Sequence, residues 1–374
     1  MRCVLAPDSF KGSLAAPEVA AAVASGLRRV RPDIELDICP MADGGEGTLL
    51  ALATAGVGTL QTAVATDAEG RSRQVQWLRS EQLAVLEVAQ VVGLPDVGRS
   101  SLAERHSGGV GELLRLMLDH GCRRVAIALG GSSTNDGGAG LLAALGGVWR
   151  DGNGQPLPPL PASWPPAVYF DESGLDPRLD ALELEVWSDV GNPLCGPAGA
   201  SAVFGPQKGL AAGQLAQFDA ALATLAQALL RQKPGLSLAV AGGGAAGGMG
   251  FALQWLGAGQ RSGAAAVAAA AGLAARMAAA DWVITGEGRS DSQTLHGKAP
   301  ALVAQLAREA GVPVSLLSGA VEDNPVLAAC FDGCFSLCPQ PATLAEAMQH
   351  AAIWLARVAE QMLRLRLAAR RPTC

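Results

Sequence analysis

Apolar and polar positions alternate in two distinct rhythms along this chain. At the amino end, the short apolar run after Arg2, residues 3–6, breaks into the polar PDSFKGS. Residues 13–30, SLAAPEVAAAVASGLRRV, then place Ala, Val and Leu on one face at helical spacing, with Pro17 where a first turn tolerates it. IELDICP (34–40) alternates like a strand, and MADGGEGTLLALATAG (41–56) reads as a loop and a helix. The opening therefore predicts β-α-β-α. The same rhythm returns at the far end: ADWVITGEG (280–288) predicts strand then loop, HGKAPALVAQLAREAG (296–311) a helix, VPVSLLSG (312–319) and CFSLCP (334–339) strands, and residues 343–369 a final helix.

Between these ends the period changes. Residues 61–94 hold strand-like runs around the turns DAEG and RSEQ, the signature of antiparallel sheet. Residues 151–178 are rich in Pro, Gly and Asp and predict a long loop. VAIAL (125–129) followed by GGSSTNDGG (130–138) and AGLLAAL (139–145) predicts a buried strand, a glycine-rich turn and a helix. The pattern predicts an α/β fold: a parallel, doubly wound domain built from residues 1–65 and 278–374, with a mixed α+β domain, 66–277, inserted. Residues 106–147 are open to assignment to the first domain instead.

Length and composition fit this picture. A chain of 374 residues has room for two domains. With 49% apolar and 17% charged residues it is compact rather than disordered. A net charge of −6 without a sizeable basic cluster argues against a nucleic-acid partner. The apolar run after Arg2 is too short for a signal peptide, so a cytoplasmic location is expected. The alanine-rich stretch 263–285 is broken by Arg276 and Asp281 and predicts a packed helix running into a strand, not a membrane span. The cysteines are scattered, without C-x-x-C and without a histidine near Cys330, Cys334 and Cys338, which favours free thiols over a zinc site.

The chemistry lies in polar loops that follow predicted strands, where open α/β sheets bind ligands. PDSFKGS offers Asp8, Ser9 and Lys11; ADGGEGT offers Asp43, Glu46 and Thr48. Residues 188–209 offer Asp189, Asn192, Gln207 and Lys208, and TGEGRSDSQTLHGK (285–298) offers Glu287, Arg289, Asp291, Ser292, Thr294 and Lys298. Carboxylates suit Mg²⁺, whereas lysines and hydroxyls suit phosphate or a substrate carboxylate. In GGSSTNDGG, Gly130, Gly131 and Gly137 let the backbone approach a ligand, and Ser132, Ser133, Thr134 and Asn135 supply polar groups. Two readings of this turn stand side by side: an anion cradle using the N–H groups at the helix start, or a tight turn with Asp136 capping the helix.

GGGAAG (242–247) fits the dinucleotide pattern G-x-G-x-x-G, but no acidic residue for a ribose occurs between Asp219 and Asp281. Close backbone packing explains these glycines more simply. No P-loop motif and no protein-kinase signature set is present. Of the histidines, only His296 stands in a candidate site loop.

Taken together, APDSFKGSL, PMADGGEGT, GGSSTNDGGAG, NPLCGPAGASAVFGPQKG, GGGAAGGMG and VITGEGRSDSQTLHGK make the chain closely resemble the bacterial glycerate kinase family of glucarate, galactarate and glyoxylate metabolism, over about residues 5–340. The resemblance implies a Rossmann-like domain with a second domain inserted. It also implies transfer of phosphate from ATP to D-glycerate, mostly at the 2-hydroxyl, although no residue here separates 2- from 3-phosphoglycerate. The chain departs from the family pattern at RHSGGVGE (105–112), at Ser290 before DSQT, and at GQRSGA (259–264), which lacks the usual proline.

On residue chemistry, the 130–137 turn is the candidate cradle for nucleotide phosphate. Lys11 or Arg289 is the candidate partner of the glycerate carboxylate, with Asp8, Ser9, Glu287 and Asp291 in the same loops. Asp43 and Glu46 are candidates for Mg²⁺, with Asp189 an alternative. Asp189 is also the candidate base, with Asp8 next, and Lys208 and Lys298 would offset charge on the transferring group. An NAD-dependent oxidoreductase using residues 242–247, or a non-catalytic sugar-acid binder, are the rival readings. The expected partners are small molecules, with no nucleic acid and no membrane.

Overall fold

The computed structural model describes residues 1–98, 100–295 and 297–369. The fold is α/β: a Rossmann-like, doubly wound parallel sheet with a second unit inserted. Met1–Asp43, Leu50–Val57 and the chain from Ala264 onward form one compact unit; Gly44–Leu49 and Gly58–Gly263 form the other.

The sheet of the first unit runs in the order Gly333–Ser336, Val314–Ser318, Trp282–Thr285, Arg2–Leu5, Glu35–Ile38, and every neighbouring pair is parallel. Side chains alternate between its faces. Cys3, Leu5, Trp282, Ile284 and Leu317 share one core with the helices Ala16–Val30 and Ala351–Ala369. Val4, Val283 and Leu316, out of step by one, are equally buried on the other face. Because both faces are covered, the central strand reads as an unbroken apolar run. The helix Ala16–Val30 buries Val19, Ala20, Val23, Ala24 and Leu27 along one stripe. Its first turn is closed by the Glu18 carboxylate, which accepts the Ala15 N–H at 2.8 Å. Leu27 is fully buried, so truncation to Ala would cost about 2–5 kcal/mol.

The sheet of the second unit runs Gly259–Arg261, Glu183–Trp187, Arg124–Ala128, Ala84–Glu87, Ser72–Arg79, Thr59–Thr66. The first four strands are parallel; the last two continue antiparallel from Ala84–Glu87. Ala63, Ala65, Val75 and Trp77 point into the core from the terminal hairpin, which is the period of two visible in the sequence.

Three elements differ from the sequence reading. Within 151–178, Val168–Asp171 pairs antiparallel with Val148–Asp151 and sets Phe170 against Trp149, ring centroids 4.5 Å apart. Four residues between prolines and glycines were too short a run to register as a strand. The alanine-rich stretch forms two helices, Gly263–Ala270 and Leu273–Ala278, divided at Gly272 with φ +64°. The last segment is likewise two helices, Leu344–Gln349 and Ala351–Ala369. Among the described residues no helix is long and apolar enough to cross a membrane, and Cys330, Cys334 and Cys338 are free thiols.

Candidate active site

In the first unit, the chain leaves Arg2–Leu5 toward Glu35–Ile38 on one side and leaves Trp282–Thr285 toward Val314–Ser318 on the other. The strand order therefore reverses between two central neighbours, and ligands in open α/β sheets collect at the carboxyl ends of such a pair. The two loops there are joined, the Asp8 N–H donating to the Gly286 oxygen at 2.8 Å.

Asp8 is buried, and its Oδ1 accepts the Ser9 N–H at 2.6 Å. Burial pushes its carboxyl up to about 7; Asp43 and Glu287 add to the rise, and the Ser9 N–H and Lys11 oppose it. Lys11 Nζ lies 3.5 Å from Asp43 Oδ2, and this carboxylate above all holds the lysine above its ordinary range. Glu287 is buried: its Oε1 accepts the Thr294 hydroxyl at 2.6 Å and the Ser290 hydroxyl at 3.1 Å, while Lys298 Nζ stands 3.7 Å from Oε2. Ser318 Oγ accepts the Glu287 N–H and lies 2.8 Å from Ser290 Oγ. Ser290, the departure from the family pattern, thus adds a donor to Glu287. Arg289 is exposed and pairs with Asp291 at 3.5 Å. The structure brings Asp8, Lys11, Asp43, Glu287 and Lys298 into one mutually charged cluster. His296 lies outside the described residues.

The second unit carries the GGSSTNDGG turn after Arg124–Ala128. Gly130 and Gly137 show why glycine is needed. A Cβ on Gly130 would stand 2.4 Å from the Gly45 Cα, and Gly137 has φ +64°. The helix start is filled by the protein itself: the Asp136 carboxylate accepts the N–H groups of Gly138 (3.2 Å) and Gly140 (3.0 Å) and both the N–H and hydroxyl of Ser107 (2.8 and 2.7 Å). The capping reading therefore describes this end of the turn, and the helix-start N–H groups of Gly138 and Gly140 are not free for an anion.

The preceding residues behave differently. Ser132, Ser133, Thr134 and Asn135 are all buried. Ser133 donates its hydroxyl to the Val92 oxygen at 2.9 Å, and Asn135 Nδ2 donates to Ser201 Oγ at 2.9 Å. Thr134 Oγ1 and Asn135 Oδ1 have no hydrogen-bond partner. Turning the Asn135 amide over would place Oδ1 on the Ser201 hydroxyl and leave Nδ2 as the unmatched group. Lys208, also buried, reaches into the turn and donates to Thr134 O at 2.7 Å and Ser132 Oγ at 2.9 Å. Burial pulls its ammonium down to about 7, opposed by Asp136 and reinforced by Arg105. Arg105, also buried, donates to the Lys208 oxygen at 3.1 Å and to the Ser133 oxygen at 3.5 Å.

Two further candidates lie on exposed loop positions. Asp189 follows Glu183–Trp187, is exposed, and accepts the Gly263 N–H at 3.0 Å. Glu46 is exposed. Among the described residues no three His, Cys, Asp or Glu side chains converge as a metal cage. The dinucleotide-like glycines 242–247 follow turns rather than a strand. Gly247 backs the phosphate-candidate turn, since a Cβ there would lie only 2.0 Å from the Thr134 oxygen, and its own oxygen accepts the Gly137 N–H. Sequence reasoning missed Glu87, Arg105, Ser107 and Ser201. Glu87, fully buried, accepts the N–H groups of Gly47 (3.0 Å) and Leu49 (3.2 Å) and so fixes the ADGGEGT loop. An acid closing the apolar strand AVLE was the signal available for it.

The Glycerate kinase family model matches residues 3–367. The chain belongs to the glycerate kinase family. A glycerate kinase of Bacillus subtilis (strain 168) is 40% identical to it, with 97% of each chain covered. A glycerate 2-kinase of Escherichia coli (strain K12) is 40% identical, with 94% of each covered. A crystal structure assigned as glycerate kinase 2 from Salmonella typhimurium LT2 superposes with a TM-score of 0.88, at 40% identity and 99% coverage of both chains. In this chain Gly130 packs on Gly44 and Gly45, and Gly247 packs on Thr134 and Gly137.

Proposed function

We propose that this chain is a cytoplasmic, ATP-dependent glycerate kinase that transfers the γ-phosphoryl group to the 2-hydroxyl of D-glycerate. The observation that carries the reading is the polar turn of Ser132–Asn135, buried yet incompletely bonded and threaded by Lys208, in a chain of this family. The acceptor position is taken from the similarity to the glycerate 2-kinase of Escherichia coli (strain K12).

Phosphoryl transfer calls for positioning and charge compensation more than covalent help from the protein. Gly130, Gly131, Ser132, Ser133, Thr134, Asn135 and Gly137, with Lys208, take nucleotide phosphate. Lys11 or Arg289 holds the glycerate carboxylate, and Ser9, Asp291 and Glu287 orient its hydroxyls. Lys298 offsets charge on the transferred group. Asp8 and Asp189 are the candidates to receive the hydroxyl proton. Burial favours Asp8, whereas Asp189 is exposed and accepts the Gly263 N–H.

Mg²⁺ bound with a nucleotide keeps waters and phosphate oxygens in its shell and needs only one or two carboxylates. The donors present suit that limited role, with Asp43 or Glu46 supplying a carboxylate oxygen. The ion's contribution would be to neutralise phosphate charge. The test is twofold. ATP should raise the melting temperature by stabilising the folded chain, about 2.7 kcal/mol at a hundredfold excess over Kd, while NAD⁺ leaves it unchanged. ADP should appear only when D-glycerate is added. A shift with NAD⁺ alone, or no ADP, would overturn the reading.

A further inference from the structure

The 131–135 turn holds more buried positive charge than the protein itself balances. Lys208 and Arg105 are both buried against it, and Asp136 is the acid that faces Lys208. The Asp136 carboxylate is committed to Ser107, Gly138 and Gly140. Arg105 spends its donors on oxygens of Ser100, Ser133 and Lys208; Glu69 influences it from a distance while accepting from Gly98 and Ser100. No carboxylate lies within ion-pairing distance of Lys208 Nζ among the described residues.

A charged lysine has three N–H donors and no acceptor, whereas a neutral one has two donors and a lone pair. Two donors are already used, on Ser132 Oγ and Thr134 O. In the charged form a third N–H is left over. In the neutral form a lone pair takes its place and repels an oxyanion. Thr134 Oγ1, on the same turn, is a second buried donor without a partner.

We propose that the charged form of Lys208 binds the nucleotide phosphate through its third N–H, so that ATP binding takes up one proton from solvent onto Lys208 Nζ when the pH is alkaline. This rests on the kinase reading above. The enclosed position brings the free lysine's titration down to about 7, so the effect falls in an accessible range. An anion placed beside it returns the proton affinity toward the ordinary range for lysine.

The experiment is isothermal titration of the full chain with ATP and Mg²⁺, without glycerate, in paired buffers of different ionisation enthalpy. At about pH 8 the terminal phosphate of ATP is already fully ionised and contributes no proton. Proton uptake per ATP should approach one there and fall toward zero at about pH 6, and Kd should rise roughly tenfold per pH unit above 7. In Lys208→Met the uptake should vanish and the affinity should be weaker and flat with pH. Lys208→Arg, charged throughout, should also bind without uptake. Tight ATP binding by the unaltered chain at pH 8 without proton uptake, alongside glycerate-dependent ADP formation, overturns this proposal and leaves the kinase reading standing. Absence of both binding and ADP formation overturns both. The unaltered chain alone decides the matter if the variants do not fold.

Discussion

Lys208 Nζ lies 2.7 Å from the main-chain oxygen of Thr134, a residue 74 positions earlier in the chain. That contact explains how a turn with five consecutive polar residues, Ser132 to Asp136, can be buried. The lysine supplies donors from outside the turn, Asp136 supplies acceptors from within it, and only Thr134 Oγ1 and Asn135 Oδ1 are left over. Unmatched buried polar groups are costly and are retained where a ligand completes them.

Thr134→Val tests this directly. The change preserves shape and removes a buried hydroxyl that has no partner. Without nucleotide, the variant should match or exceed the parent in stability, by up to about 1–3 kcal/mol. Its affinity for ATP should fall roughly tenfold, the worth of about one hydrogen bond to a charged group. Thermal melts and ATP titrations read the two effects separately. Lower stability with unchanged ATP affinity would make the hydroxyl structural.

Lys208 also predicts a pH trend in stability. Its folded-state titration lies near 7 against 10.5 for the ordinary group, so the unfolded chain binds the extra proton between these values. Stability from this group is present at high pH and is lost as pH falls through about 7. From pH 7 upward, the parent should gain on Lys208→Met by about 1.4 kcal/mol per pH unit. Urea titrations at several pH values check this, and parallel curves for the two proteins would refute it.

Asp8 shifts the opposite way. Its carboxyl is raised from 3.8 to about 7, first by burial and then by Asp43. The folded chain therefore keeps a proton that the unfolded chain has lost, and stability declines as pH rises from about 4 to 7. Measured without nucleotide and with EDTA, Asp8→Asn should be more stable than the parent at pH 8, with the difference fading toward pH 4. A constant difference across that range would contradict the burial argument.

The same substitution separates the two candidate bases. Asp8→Asn should lower kcat by about 10²–10⁴, the usual worth of a general base. Asp189→Asn keeps an oxygen for the Gly263 N–H and should stay within a few-fold of the parent. The reverse pair of results, from steady-state kinetics on folded variants, would give the role to Asp189.

The polar loops were legible in the sequence because each follows an apolar run at the end of a strand, and periodicity alone placed Asp8, Glu287 and the 130–138 turn there. What was not legible was partnership at long range. Nothing near Ser132 in the sequence announces Lys208 or Arg105, and although an acid closes AVLE at Glu87, nothing local points to Gly47 and Leu49 as its partners. The glycines 242–247 carried a misleading local pattern, because close packing on residues distant in the chain accounts for them: Gly247 on the Thr134 oxygen, Gly244 on the Pro193 oxygen and Gly242 on the Gln260 side chain. The strand Val168–Asp171 was missed for a related reason: its stability comes from Trp149 and Phe170 packing, not from its own four residues.

Phosphoryl transfer from ATP to glycerate can be followed from both reactants at once by ³¹P NMR of a single reaction mixture. With the chain, ATP, Mg²⁺ and D-glycerate present, ADP and 2-phosphoglycerate should grow together, one for one, and neither should form when D-glycerate is omitted. ADP accompanied only by inorganic phosphate, or no change in the ATP signals at all, would contradict it.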